Sequence, residues 1–250
     1  MRLSFQRRRL VAWMGCLLLL LVCGSGGGAR AQGGGASGSG SGNGTGSGNV
    51  NAVLDQMDAA SRRFESAEAD FTKDLYERVV KQTTTQTGEI YFVRHGAEIE
   101  MGAAIAPPQA RTLEYRDGRL RIYEPGSKHL SEFVAGANQA AYESYLTLGF
   151  GGRGSDLKKA WTITDGGTSM LSDGVKLVQV TRLDLVAKDP NVRNTFSHVS
   201  IWVDPVRGIS LKQEFVTPSE DRQTAVYKNI RYNEKLTKAD LARFAIPGKR

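Results

Sequence analysis

Leu113-Glu-Tyr-Arg-Asp-Gly-Arg-Leu-Arg-Ile-Tyr-Glu-Pro125 decides the fold class. Leu113 and Tyr115 alternate with other residues before Asp117-Gly118, and Leu120 and Ile122 alternate with arginines after it. An Asp-Gly pair between two alternating runs is a strong hairpin signal, because the tight turn needs positive φ angles that Asp tolerates and Gly favours. The arms are 111–116 and 119–124. Working outward, the same period of two predicts strands at 88–94, 98–105 and 129–134. A second series follows at 161–165, 168–172, 175–185, 195–204, 209–217 and 223–232. Turn signals separate them at Thr87-Gly88, His95-Gly96, Pro125-Gly126, Asp173-Gly174 and Arg207-Gly208. Eleven or twelve antiparallel strands predict a mainly β, α+β domain built as a strongly curved sheet or half-open antiparallel barrel.

Helical signals flank this β-rich body. Val53, Met57, Ala60 and Phe64 recur at spacings of four, three and four, which stripes one face of a helix over about 50–65. Ala137 to Phe150, rich in Ala, Tyr and Leu, and a helical stretch at Ser155–Lys159 lie between the two strand series. Their place in the chain suits a helical lid over one mouth of the sheet. Thr237 as N-cap and Asp240 in the first turn predict a short helix within Leu236–Phe244, ahead of Pro247.

The N-terminus carries an export signal. Arg2, Arg7, Arg8 and Arg9 precede an apolar run from Leu10 to Cys23, and Ala29-Arg30-Ala31 supplies the small residues that a signal peptidase requires. Residues 1–31 are therefore expected to be cleaved, leaving Gln32 first. The apolar run is shorter than the roughly 20 residues that cross a bilayer, so no retained membrane helix is expected. Residues 32–49, almost all Gly and Ser, read as a flexible linker. Residues 50–250 then form one domain. Five of the 33 basic residues lie in the signal and none of the 26 acidic ones does, leaving 28 against 26, a net of +2. That balance argues against nucleic acid as a partner. Both cysteines, Cys16 and Cys23, also fall in the signal, so the mature chain has no thiol for a disulfide, a metal or nucleophilic catalysis.

Several pieces resemble the LolA-like family of periplasmic lipoprotein carriers. They are Phe71 after the first helix, Gly88-Glu-Ile-Tyr-Phe-Val-Arg94, the Leu113–Pro125 hairpin, Leu183-Asp-Leu-Val-Ala-Lys-Asp-Pro190, Val199-Ser-Ile-Trp-Val-Asp-Pro205, Tyr227-Lys-Asn-Ile-Arg-Tyr-Asn233 and Phe244-Ala-Ile-Pro247. In this order and spacing they span 50–248. The resemblance implies a half-open barrel under a helical lid, with an apolar cavity for the acyl chains of lipoproteins or other lipids. It also implies a monomer that catalyses nothing, loaded by an inner-membrane releasing complex and unloaded at an outer-membrane receptor. Arg94 matches the family's strand-end arginine, which hydrogen-bonds to the lid in the closed carrier. His95 stands where the family usually has Pro.

Alternation groups Ile90 and Phe92 with Arg94, Ile99 with Met101 and Ala103, Leu113 with Tyr115, and Leu120 with Ile122. With Arg94 turned inward, as the resemblance implies, these are the candidate cavity residues, and Tyr142, Tyr145 and Leu146 are candidates beneath the lid. Alternating apolar residues also suit a solid packed core. An anchored acceptor or envelope sensor on the same fold is a second functional reading. A third is a histidine phosphatase using Arg94-His95-Gly96, whose motif resembles that family's strand-end Arg-His-Gly. His95, His129 and His198 show no metal-site spacing, and no Gly-x-Ser-x-Gly elbow occurs, so no metal, cofactor or enzyme activity is expected.

Overall fold

A computed structural model describes residues 46–134 and 148–247. The expected signal, the linker up to residue 45 and the lid candidates Tyr142, Tyr145 and Leu146 lie outside the described residues. Helix α1 (Gly46–Ser61) leads into strands β1 (Ser66–Glu77), β2 (Gln82–His95), β3 (Glu98–Ile105), β4 (Arg111–Arg116), β5 (Arg119–Glu124) and β6 (His129–Val134). Helix α2 (Gly154–Ala160), β7 (Trp161–Ser172), β8 (Leu177–Ala187), α3 (Pro190–Arg193), β9 (His198–Asp204), β10 (Ile209–Val216), β11 (Arg222–Tyr232) and α4 (Lys238–Ala242) complete it.

Among the described residues the strands form one antiparallel sheet of eleven, in the order β6-β5-β4-β3-β2-β1-β11-β10-β9-β8-β7. The expected half-open antiparallel architecture is thus the one observed: the first and last strands pair, and β6 and β7 remain as edges. Helix α1 crosses the inner face. Asn49 Nδ2 donates to Asp165 on β7 at 2.7 Å, while Ser61 lies against Arg94 of β2 at 3.4 Å. Six strand spacings separate β7 from β2, roughly 29 Å in a flat sheet. A 16-residue helix reaches only about 24 Å, so the sheet curls around it.

Two apolar clusters fill the inner face. One joins β1 to β5 with Phe64, Phe150, Ile209, Ala225 and Tyr227. The other lies between α1 and β7 to β10, with Val53, Leu54 and Met57 against Leu183, Leu185, Val199, Ile201 and Phe215. The helical stripe predicted from Val53, Met57, Ala60 and Phe64 is buried throughout, although Phe64 sits just past the helix end. On the outer face the C-terminal tail packs against β1 and β2, where Arg243 pairs with Glu68 and Glu89. Thr237 and Asp240 form a capping box on α4, and the Phe244 ring lies 4.7 Å from that of Tyr91. Gly102 makes room for this, since a Cβ there would sit 2.3 Å from the Tyr91 ring.

Local departures from the expectations have identifiable causes. Helix α1 begins at Gly46, within the expected linker, and ends at Ser61 rather than near 65. Strand β2 begins at Gln82, so Thr87-Gly88 is not a turn. Gly88 is instead a close-approach point, where a Cβ would meet the Ala104 carbonyl and the Phe71 ring at 2.2 and 2.8 Å. The segments 161–165 and 168–172 form one strand with an irregularity at Gly166-Gly167. Of the other Gly-containing turn signals, His95-Gly96 closes β2 and the rest fall between elements, and the far tip of the β7–β8 hairpin is pinned by Arg207, which pairs with Asp173 at 2.9 Å and Asp204 at 2.6 Å.

Candidate functional site

A cavity of about 1000 Å³ opens where α1, α2 and the 148–153 loop meet the ends of β2, β3, β7 and β8. Met57, Ile99, Leu148, Leu157, Trp161 and Val192 give it apolar walls. Exposed Arg62, Arg153, Lys159 and Lys188 stand around it with Asp156 and Asp189. Asp156 holds Arg153 at 2.8 Å and Lys159 at 2.9 Å.

Arg94 borders this cavity and ties its loop to the sheet. Its Nη2 donates to the Gly151 carbonyl at 2.7 Å and its Nε to the Phe64 carbonyl at 3.2 Å. Ser61 Oγ donates to the same Gly151 oxygen at 2.7 Å. The guanidinium carbon lies 5.8 Å from the Phe64 ring centroid. Burial, with a smaller effect from Arg153, lowers the Arg94 pKa from its ordinary value, and an arginine so placed stays a cation at neutral pH. Gly151 makes the contact possible. It has φ +73, and a Cβ there would lie 2.4 Å from Phe64. The loop therefore depends on glycine for both its conformation and its packing.

The remaining described candidates lie on the inner face. Phe92, Ile99, Met101, Leu113, Tyr115, Leu120 and Ile122 are buried in one cluster, and half-buried Ile90 packs against it. Of the described candidates, Arg94 and Ile99 line the cavity, while the others belong to the adjoining packed layer. Phe92 stacks on Phe150 at 4.4 Å and 9°, and Phe150 meets Tyr227 edge-on at 4.9 Å. Sequence reasoning did not single out Trp161, Leu157 or Val192 as cavity residues, because they gather only through the curl of the sheet. The Gly149-Phe-Gly-Gly152 run was the available signal for the loop, since clustered glycines after an apolar stretch mark close backbone approach.

Arg94 and His95, neighbours on one strand, face opposite sides of the sheet. His95 Nε2 lies 3.2 Å from Glu100 on the outer face, while Arg94 points to Gly151 on the inner one. One phosphate could not touch both side chains, as the phosphatase motif requires. His129 and His198 lie on the distant strands β6 and β9. Among the described residues, no group of three His, Cys, Asp or Glu side chains is arranged to hold a metal ion, and no helix is long and apolar enough to cross a membrane.

No family model matches the sequence, and no curated protein matches it. Among solved structures it is similar to a DUF1329 family protein from Desulfovibrio piger, at 10% identity over 78% of this chain and 97% of that one, with a TM-score of 0.42. It is also similar to the MucA/MucB complex of Pseudomonas aeruginosa, at 14% identity over 77% and 60%, with a TM-score of 0.47. A LolA superfamily protein from Nitrosomonas europaea is similar at 11% identity over 75% and 94%, with a TM-score of 0.36.

Proposed function

We propose that this chain is a LolA-like carrier that holds the acyl chains of lipoproteins, or of another amphiphile, against the inner face of its sheet. It conveys them across the periplasm toward the outer membrane and breaks no bond. An inner-membrane releasing complex loads it and an outer-membrane receptor unloads it. The observation that carries this reading is an unclosed sheet whose apolar inner face adjoins a cavity of about 1000 Å³, near the upper end of small-molecule sites. Arg94 ties the cavity's loop through carbonyl contacts. Such contacts can part without unfolding either apolar cluster, which gives a route for a long chain to enter. Each methylene removed from water contributes about 0.8 kcal/mol, so burying half of a sixteen-carbon chain supplies about 6 kcal/mol.

Ile90 gives the test. It lies on the inner face and is only half-buried, so a carboxylate there keeps contact with water and the chain stays folded. Ile90→Asp is expected to weaken binding of a fluorescent fatty-acyl probe by at least about tenfold, with the circular dichroism spectrum unchanged. Wild-type affinity in the folded variant would remove the inner face as the acyl site.

A further inference from the structure

The apolar pattern of the inner face breaks over two neighbouring levels of the sheet. Along β1, Ala67, Ala69 and Phe71 are followed on the same face by Lys73, which is buried to 6% exposure. Its cross-strand partners are Gln86 on β2 and Ala225 on β11, and Gln223 lies two residues from Ala225, opposite Leu75. Gln86 and Gln223 are each 3% exposed. The amide nitrogen and oxygen of both glutamines are buried without a hydrogen-bond partner. Native interiors pair nearly all such atoms, because leaving them unpaired costs stability. Two glutamines with four open positions, on the two strands that flank β1 on either side of Lys73, therefore mark a place where a polar group is received. Farther along the same face come Phe71, Ile90 and Phe92, so the surface changes from polar to apolar within roughly 10–20 Å.

We infer that Lys73, Gln86 and Gln223 form a headgroup subsite for an anionic, hydroxyl-bearing amphiphile whose acyl chain runs along Phe71, Ile90 and Phe92. This rests on the acyl-binding reading and gives the cargo a chemical class and a direction. Phosphate or carboxylate oxygens accept from the two amide nitrogens beside the Lys73 cation, and headgroup hydroxyls donate to the amide oxygens. Burial, with a smaller contribution from Arg111, lowers the Lys73 pKa to about 8. The ammonium is therefore still mostly protonated at neutral pH.

Gln86→Leu and Gln223→Leu test the subsite, because they remove the unpaired amides at similar volume. In the delipidated mature chain each is expected to raise Tm by roughly 2–4 °C. Each is also expected to weaken 1-palmitoyl-lysophosphatidylglycerol at least about tenfold while leaving the headgroup-free probe diphenylhexatriene within about twofold. A lower Tm would mean that the glutamines serve the fold, and lysophosphatidylglycerol binding that follows diphenylhexatriene would mean that water alone occupies the amides. Either result overturns the inference. Glycerol 3-phosphate competing as well as the lysolipid would assign the site to a soluble anion and overturn the amphiphile. If the unsubstituted chain bound neither lysolipid nor diphenylhexatriene, the acyl-binding reading itself would fail.

Discussion

Phe92→Ala is expected to lower the unfolding free energy by about 3–5 kcal/mol, the usual range for removing a fully buried aromatic ring. Phe92 is 2% exposed and stacks on Phe150, which in turn meets Tyr227 edge-on. Tyr227 donates to Gln213 Oε1 at 3.0 Å, and the Gln213 amide nitrogen donates to the Leu148 carbonyl. One ring thus supports a chain of contacts from β2 to β10, β11 and the cavity loop. Urea denaturation with an unchanged slope measures the loss. A change below about 1 kcal/mol would mean that the inner face is already open around Phe92. The same burial makes a charged residue at 92 a poor probe of binding, because the fold would fail first.

Arg94→Leu is expected to cost about 1–3 kcal/mol, the penalty for orphaning a buried acceptor. The Gly151 and Phe64 carbonyls lose their guanidinium donor, although Ser61 still serves Gly151. The larger effect is kinetic. With the loop untied, a bound acyl probe is expected to leave at least about tenfold faster in stopped flow, since interactions of this kind act mainly on dissociation. Arg94→Lys is expected to restore little, because a point ammonium cannot reproduce the planar fork that spans two carbonyls. An off-rate equal to wild type would show that the loop plays no part in retention.

How far the sequence reached depended on the range of the physics involved. Strands β3 to β6 have the boundaries expected, because Asp117-Gly118 and Pro125-Gly126 punctuate strict alternation and each contact is between chain neighbours. The Thr237–Asp240 cap was equally local. Gln82–Thr87 is not legible as strand because its polar residues carry no apolar period, although they extend β2 by half a dozen positions. For the same reason nothing in the sequence marks Gln86 and Gln223 as flanking Lys73 and Leu75 on the inner face. The candidate face was legible, since one strand-end residue, Arg94, orients its own strand and the pleat orients the rest. The cavity was not, because Met57, Leu157, Trp161 and Val192 come from elements joined only by the curvature of an eleven-stranded sheet.

The most direct measurement is native mass spectrometry of the protein purified from the cells that make it, followed by solvent extraction and identification of what is released. One acyl-bearing adduct per chain is expected, lost on extraction and restored by adding the lipid back. A bare mass, with no uptake of a fatty-acyl probe by the folded protein, would contradict the carrier reading and leave the inner face as a filled core.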